Sequence, residues 1–372
     1  MGIGRGMSGR SLSEREGRAA WDPPVGALPQ RPAKRRVGLW LLVLALMIGV
    51  MVLLGGATRL TGSGLSIMEW APVSGILPPL TQAEWERLFA LYRTIPQYHL
   101  LHEGMGLAGF KGIFWLEWVH RLWGRLLGLA LLVPLLVFWR QGLITPRLGR
   151  ALLLLFFLGL LQGAVGWFMV ASGFFPASTA VSPYRLVIHL GFALVLFAVT
   201  LGLALERLVP PPAAPPAPAL RRASALTVVL AFLTILAGGF TAGLHAGLDY
   251  NTFPLMAGHL VPPSYFRLSP WWRNLTENIA AVQFDHRMLA TLTLLTGLTT
   301  ALLGSRRAPA GGRWPFLLLG AALGLQYGLG IATLLLVVPL PLAILHQGGA
   351  VLVLASAISA LYVTHASPEK TP

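Results

Sequence analysis

Residues 55–79 read GGATRLTGSGLSIMEWAPVSGILPP, and residues 238–263 read GGFTAGLHAGLDYNTFPLMAGHLVPP. Both follow a frame of GG-x-T, a G-L step and a proline-bounded close, in which Gly55 pairs with Gly238 and Gly75 with Gly258. Self-similarity over such a length means that one structural unit occurs twice. The correspondence continues downstream. VHRLWGRL (119–126) is answered by DHRMLATL (285–292), LQGAVG (161–166) by LQYGLG (325–330), and RLVIHLG (185–191) by LAILHQG (342–348).

The 372 residues are 55% hydrophobic and 11% charged, with a mean hydropathy of +0.69. That balance excludes a soluble globule and fits a polytopic membrane protein. Apolar runs able to cross roughly 30 Å of hydrocarbon fall at 37–55, 118–139, 150–170, 186–206, 222–243, 284–304, 314–338 and 341–363. A segment in lipid must satisfy its own backbone groups, so these runs are helices. Eight spans in two matching sets predict an all-α membrane protein of two four-helix bundles. Four is even, so the two bundles share one orientation about an axis along the membrane normal, unlike inverted-repeat transporters. The expected boundaries are a disordered basic tail at 1–36, an N-terminal half at 37–208, a proline-rich linker at 209–221, a C-terminal half at 222–363 and a short tail at 364–372.

The net charge of +15 is explained by topology. Lys and Arg collect in 31–36, in RQGLITPRLGR (140–150), in 206–222 and in SRRAPAGGR (305–313), whereas 171–184 and 339–341 hold none. The positive-inside rule then puts both termini in the cytoplasm and the long loops 56–117 and 244–283 outside. No nucleic-acid partner is needed; the expected surroundings are membrane lipid. The first apolar run is too long for a signal-peptide core and lacks a cleavage site, and Glu14, Glu16 and Asp22 make the tail a poor transit peptide. A bacterial plasma membrane is the expected location. Cysteine is absent, which removes disulfides, thiolate metal sites and covalent c-type haem.

Of nine histidines, four obey the repeat: His120, His189, His286 and His346. Each falls in the first turns of an even-numbered span, so all four are expected at one depth near the outer face, two from each half. Two imidazoles from neighbouring helices are what bis-axial haem ligation requires, whereas zinc would want a third or fourth donor. Arg121 and Arg287 follow a histidine in both halves and are expected to meet haem propionates. Arg125 and Arg185 are either further propionate partners or ordinary interface cations. His99, His102, His245, His259 and His365 lie in loops or a tail without a matching partner, and no role is assigned to them.

The halves differ beside the histidines. Glu117 stands three residues before His120 on the same helical face, and Gln283 stands three before His286. A carboxylate next to a bound haem can move a proton or hydrogen-bond a reacting group; it could also orient a ring N–H or an arginine. This asymmetry assigns chemistry to the N-terminal half, with Glu117, His120 and His189, and electron storage to the C-terminal half.

At these positions the chain resembles the heme A synthase family, in its cysteine-free branch typical of proteobacteria and mitochondria. The resemblance is carried by GGATRLTGSGLSIMEWAP, FKGIFWLEWVHRLWGR, YRLVIHLG, AGLDYNTFPLM, NLTENIAAVQFDHR and IATLLLVVPLPLAILHQ, spread over about 37–363. It implies oxidation of a methyl group of heme O to the formyl group of heme A through an alcohol. Substrate haem would lie in the N-terminal half and a b-type haem (heme b) in the C-terminal half, with the family's invariant Glu and four His mapping onto Glu117, His120, His189, His286 and His346. A heme O synthase upstream and cytochrome oxidase assembly factors downstream are the implied partners. Gly109 departs from the pattern, where relatives often carry an acidic residue, and the outer-loop cysteine pair of the other branch is missing. The alternative reading is a di-haem b-type electron-transfer membrane cytochrome.

Overall fold

The computed structural model describes residues 30–210, 217–308 and 312–365. Eight long helices dominate: α1 (Gln30–Leu60), α4 (Leu107–Arg140), α5 (Pro146–Ala171), α6 (Pro183–Leu208), α7 (Pro218–Gly243), α9 (Ile279–Arg307), α10 (Trp314–Leu335) and α11 (Leu340–His365). Three short helices, α2 (Gln82–Tyr92), α3 (Pro96–Leu101) and α8 (Asn274–Glu277), lie in the two long loops. All eight long helices are long and apolar enough to cross a membrane, and the described residues form no strand. The chain is an all-α, multi-pass membrane protein.

Local chemistry sets the helix starts. Proline occupies the first turn of α5, α6, α7 and α10, where its missing N–H costs nothing. Thr145 caps α5 by accepting from Leu148 N at 3.3 Å, and the Asn278 side chain caps α9 by accepting from Ala280 N and Ala281 N.

Several helices exceed the apolar runs that announce them. The helix of the second span starts at Leu107 rather than 118. Its 34 residues extend to about 51 Å at 1.5 Å per residue, against roughly 30 Å of hydrocarbon. The excess is covered by the long loop before it: Phe110 and Phe114 of the helix are buried together with Leu65, Trp85, Tyr92 and Ile95 of the loop. His120 therefore sits well inside its helix, not in the first turns as expected; the charged and aromatic prelude is helical because loop aromatics, not lipid, cover it. Helix α1 begins at Gln30, so Lys34, Arg35 and Arg36 are helical instead of part of a tail, and the rest of the expected tail, 1–29, lies outside the described residues. Pro218 already opens α7, which shortens the expected linker; 211–216 lie outside the described residues, as do 366–372. The seventh span ends at Leu335, and Val337 and Val338 carry the turn to α11 with φ of 60° and 58°.

Helices α1, α6, α7 and α11 meet at the centre. α1 lies against α4, α6 and α11, α7 against α6, α9 and α11, and α5 and α10 complete the two sides. Between lipid tails there is little hydrophobic drive for helices to associate, so small residues and side-chain hydrogen bonds carry the contact. Thr227 pairs with Thr300 at 3.0 Å and Thr234 with Thr293 at 2.7 Å. Ala357 and Ala360 on α11 are fully buried.

Candidate functional site

His120, His189, His286 and His346 line one cavity of about 1620 Å³ that reaches both halves of the molecule. His286 on α9 and His346 on α11 face each other, with ring centres 6.5 Å apart and ring planes at 85°. Two imidazole nitrogens about 2 Å from one shared metal would put the ring centres about 6 Å apart, so this pair suits axial ligation from both sides. Nδ1 of His286 lies 3.1 Å from Thr234 O. A hydrogen bond donated there leaves Nε2 free to accept a metal. Among the described residues, no group of three or more His, Asp or Glu could hold a bare ion. Paired imidazoles fit a haem, whose porphyrin supplies the remaining donors.

The repeated glycines make room for these rings. A methyl group added at Gly55 would stand 3.2 Å from Nε2 of His120, and at Gly166 2.9 Å from Cε1 of His189. At Gly238 it would stand 3.0 Å from Cε1 of His286, and at Gly330 2.9 Å from Cε1 of His346. The second glycine of each GG pair faces the other half. A side chain at Gly56 would collide with Gln347 of α11, and one at Gly239 would press on Val187 and Leu190 of α6. Gln347 Nε2 donates to Val52 O across that contact.

Glu117 is buried, at 2% exposure, and lines the cavity. Oε2 accepts from the Ser66 hydroxyl at 2.7 Å and from Ile67 N at 2.8 Å, and Oε1 accepts from Arg121 Nε at 3.0 Å and from Arg121 Nη2. Arg121 also donates to the carbonyls of Ile67 and Glu69. The other half repeats the device with an amide. Gln283 Oε1 accepts from Arg287 Nη2 at 2.7 Å, Gln283 Nε2 donates to Ala246 O and Asp249 O, and Arg287 donates to Tyr250 O and Thr252 O. Both arginines, expected from sequence as anion partners, thus staple a long loop to a helix; Nε of Arg287 remains buried without a partner.

Arg125 lines the cavity and donates to Pro72 O and Ala71 O, with Nη1 unpartnered. Arg185 is not among the lining residues: it donates to Phe168 O at 2.7 Å and stacks on the Phe168 ring at 3.8 Å, the interface reading of the two offered for it. His99 and His259 stay outside the cavity, whereas His102 and His245 line it without belonging to the repeat. Burial, with the Arg59 cation second, holds His245 below the usual imidazole range. Arg59 itself escaped the sequence reading. It ends α1, lines the cavity and leaves Nη2 buried and unpartnered; its signal was a lone cation closing an apolar run. Gln162 and Gln326, matched in the repeat, also line the cavity with buried, unpartnered amide oxygens.

Residues 38–358 match the COX15-CtaA family model, described as cytochrome oxidase assembly protein. A heme A synthase of Granulibacter bethesdensis is 60% identical over 335 residues, covering 90% of this chain and 88% of the relative. A protein named heme A synthase 2 of Acidiphilium cryptum is 45% identical over 370 residues, covering 97% of this chain and 100% of the relative. A heme A synthase of Rhodospirillum centenum is 47% identical over 357 residues, covering 94% and 93% respectively. With nearly its whole membrane-embedded length aligned, and with histidine pairs seated against the repeated glycines, this chain belongs to the heme A synthase (COX15-CtaA) family.

Proposed function

We propose that the protein is a heme A synthase: an oxidoreductase that converts a methyl group of heme O to a formyl group through an alcohol. Two parallel-repeat four-helix units divide the work, with His120 and His189 holding substrate haem and His286 and His346 holding a b-type haem. The observation that carries this reading is the twice-built arrangement of two imidazoles, each in a glycine-lined seat, on one cavity. When bound, the b-type haem supplies one-electron redox chemistry at the protein's own second site.

The chain's residues do the rest. The imidazole pairs His120/His189 and His286/His346 would hold the two macrocycles. The apolar wall excludes water, which strengthens every charge interaction at the substrate. Among the described residues Glu117 is the one carboxylate on the cavity wall, and it holds or moves a proton beside the reacting group, with Arg121 fixing its position. Gln283 cannot ionise, which keeps the second site free of proton chemistry. Arg59, Arg125 and Arg287, with unpartnered buried N–H groups, suit the anionic propionates. Both termini face the cytoplasm of a bacterial plasma membrane, and a heme O synthase in the same membrane supplies the substrate.

Co-expression with a heme O synthase, followed by extraction and chromatography of the haems, tests the reading. Heme A is expected only when both proteins are present; its absence, with heme O accumulating, overturns the proposal.

A further inference from the structure

The cavity is not symmetric. On α1 its lining runs from Gly55 down to Leu41, but on the matching α7 only from Gly238 to Ala231. On α4 it runs from His120 to Leu132, and on α9 only from His286 to Leu294. The remaining two helix pairs differ in the same direction, so the first half is deeper by about 6 to 10 Å on every helix.

The repeat shows what was removed. Gly128, Gly159 and Gly163 stand where the second half carries Leu294, Leu323 and Tyr327. A Cβ at any of the three glycines would meet nothing within 4 Å, whereas Leu323 is 3% exposed and fills the space at Gly297. The first half also opens sideways. Leu129 of α4 and Leu160 of α5 are 56% and 58% exposed yet line the cavity. Every lining residue of α9 and α10 is buried or half-buried.

We propose that the slot between α4 and α5 receives a long hydrocarbon substituent of the substrate haem, threaded from the bilayer while the macrocycle lies between His120 and His189. This rests on the functional reading above. The slot is continuous with the histidine site, its walls are leucine, phenylalanine and glycine, and its mouth faces lipid. A polar ligand would find no partners there. A hydrocarbon chain leaves lipid for the slot at no hydrophobic gain, so shape alone selects it. The hydroxyethylfarnesyl chain of heme O has the required chemistry; iron protoporphyrin without a chain does not use the slot.

The test fills the slot with the residues of the other half. Gly159→Leu and Gly163→Tyr, singly and together, are purified with the b-type haem in place, whose spectrum reports the fold. Heme O and iron protoporphyrin are then titrated into the first half by absorbance. The filled proteins are expected to bind heme O about tenfold or more weakly than the native chain, with iron protoporphyrin unaffected. Equal weakening of both ligands, or none for heme O, overturns the proposal; the second outcome is also the one expected if the slot holds an acyl chain of a lipid. If the native protein takes up neither haem in this half, the functional reading falls and the slot assignment with it. Gly128→Leu, a single smaller change, repeats the comparison should the double variant lose the b-type spectrum.

Discussion

Glu117 and Arg121 form a buried ion pair one helical turn apart, with side chains 3% and 18% exposed. Loop groups complete it: a hydroxyl and an N–H on the carboxylate, two carbonyls on the guanidinium. Removing one partner of such a pair leaves an uncompensated charge in a medium that solvates it poorly. The pair that invites a chemical role is therefore also a clasp, and the two roles need separate tests.

Glu117→Gln separates them. The second half shows that an amide can hold the following arginine, as Gln283 holds Arg287. The variant should fold and keep its b-type spectrum, losing one acceptor for Ile67 N at a cost of about 1 to 2 kcal/mol. Heme A formation should drop about 100-fold or more, in line with loss of a general acid–base group. Glu117→Ala should cost about 3 kcal/mol or more in stability. Normal heme A output from Glu117→Gln refutes the chemical role. In the opposite direction, Gln283→Glu would face a carboxylate with the carbonyls of Ala246 and Asp249, and a lowered Tm is expected.

The histidine pairs should fail independently. His286→Ala or His346→Ala should abolish the b-type absorbance of the purified protein. His120→Ala and His189→Ala should retain it while product formation falls below detection. Absorbance spectra of the four variants decide the matter, and a b-type signal that follows His120 instead would exchange the halves' roles.

The glycine seats make a milder prediction. Gly330→Ala places a methyl 2.9 Å from the His346 ring, and overpacking of this kind costs about 1 to 3 kcal/mol. The b-type haem should be retained less well and its absorbance maximum displaced. Gly324→Ala, one helical stretch away with nothing within 4 Å of the added atom, should leave both unchanged. Equal behaviour of the two variants would remove the seat argument.

Acid should loosen the loop between α1 and α4. Burial holds His102, beside α3, below the ordinary imidazole value of 6.5, with the Tyr92 hydroxyl 2.6 Å from its Nδ1. The unfolded chain then binds more protons than the folded one as pH falls through 6.5. The stabilisation is complete above that value and is lost toward the lower folded value. Hydrogen-exchange protection of 96–101 should decline as pH drops from about 7 to 5, and His102→Gln should flatten the decline. A variant with the native pH profile would assign the effect elsewhere.

That four histidines share one cavity was legible from residue order because the chain states the arrangement twice. Four histidines keep their place in a repeat whose other positions have drifted, and the Glu117/Gln283 difference is visible without coordinates. The glycines that seat the rings could be read only as repeat markers, since nothing in GG or LQGAVG says which neighbour comes close. Arg59 was invisible for the same reason: a cation at the end of an apolar run reads as an interface residue until the loop of the other half is found beside it.

Hydropathy by itself determined that eight helices cross the bilayer, because lipid cannot satisfy an open backbone and only long apolar runs are stable there. It could not determine where those helices stop. α4 continues beyond its apolar run because its Phe110 and Phe114 are covered by Leu65, Trp85 and Tyr92, contacts made by residues outside the helix. Nor could it decide that the arginines following His120 and His286 turn toward loop carbonyls. Which buried donor meets which acceptor depends on the packed distance between chain segments, and that distance exists only once all eight helices have assembled.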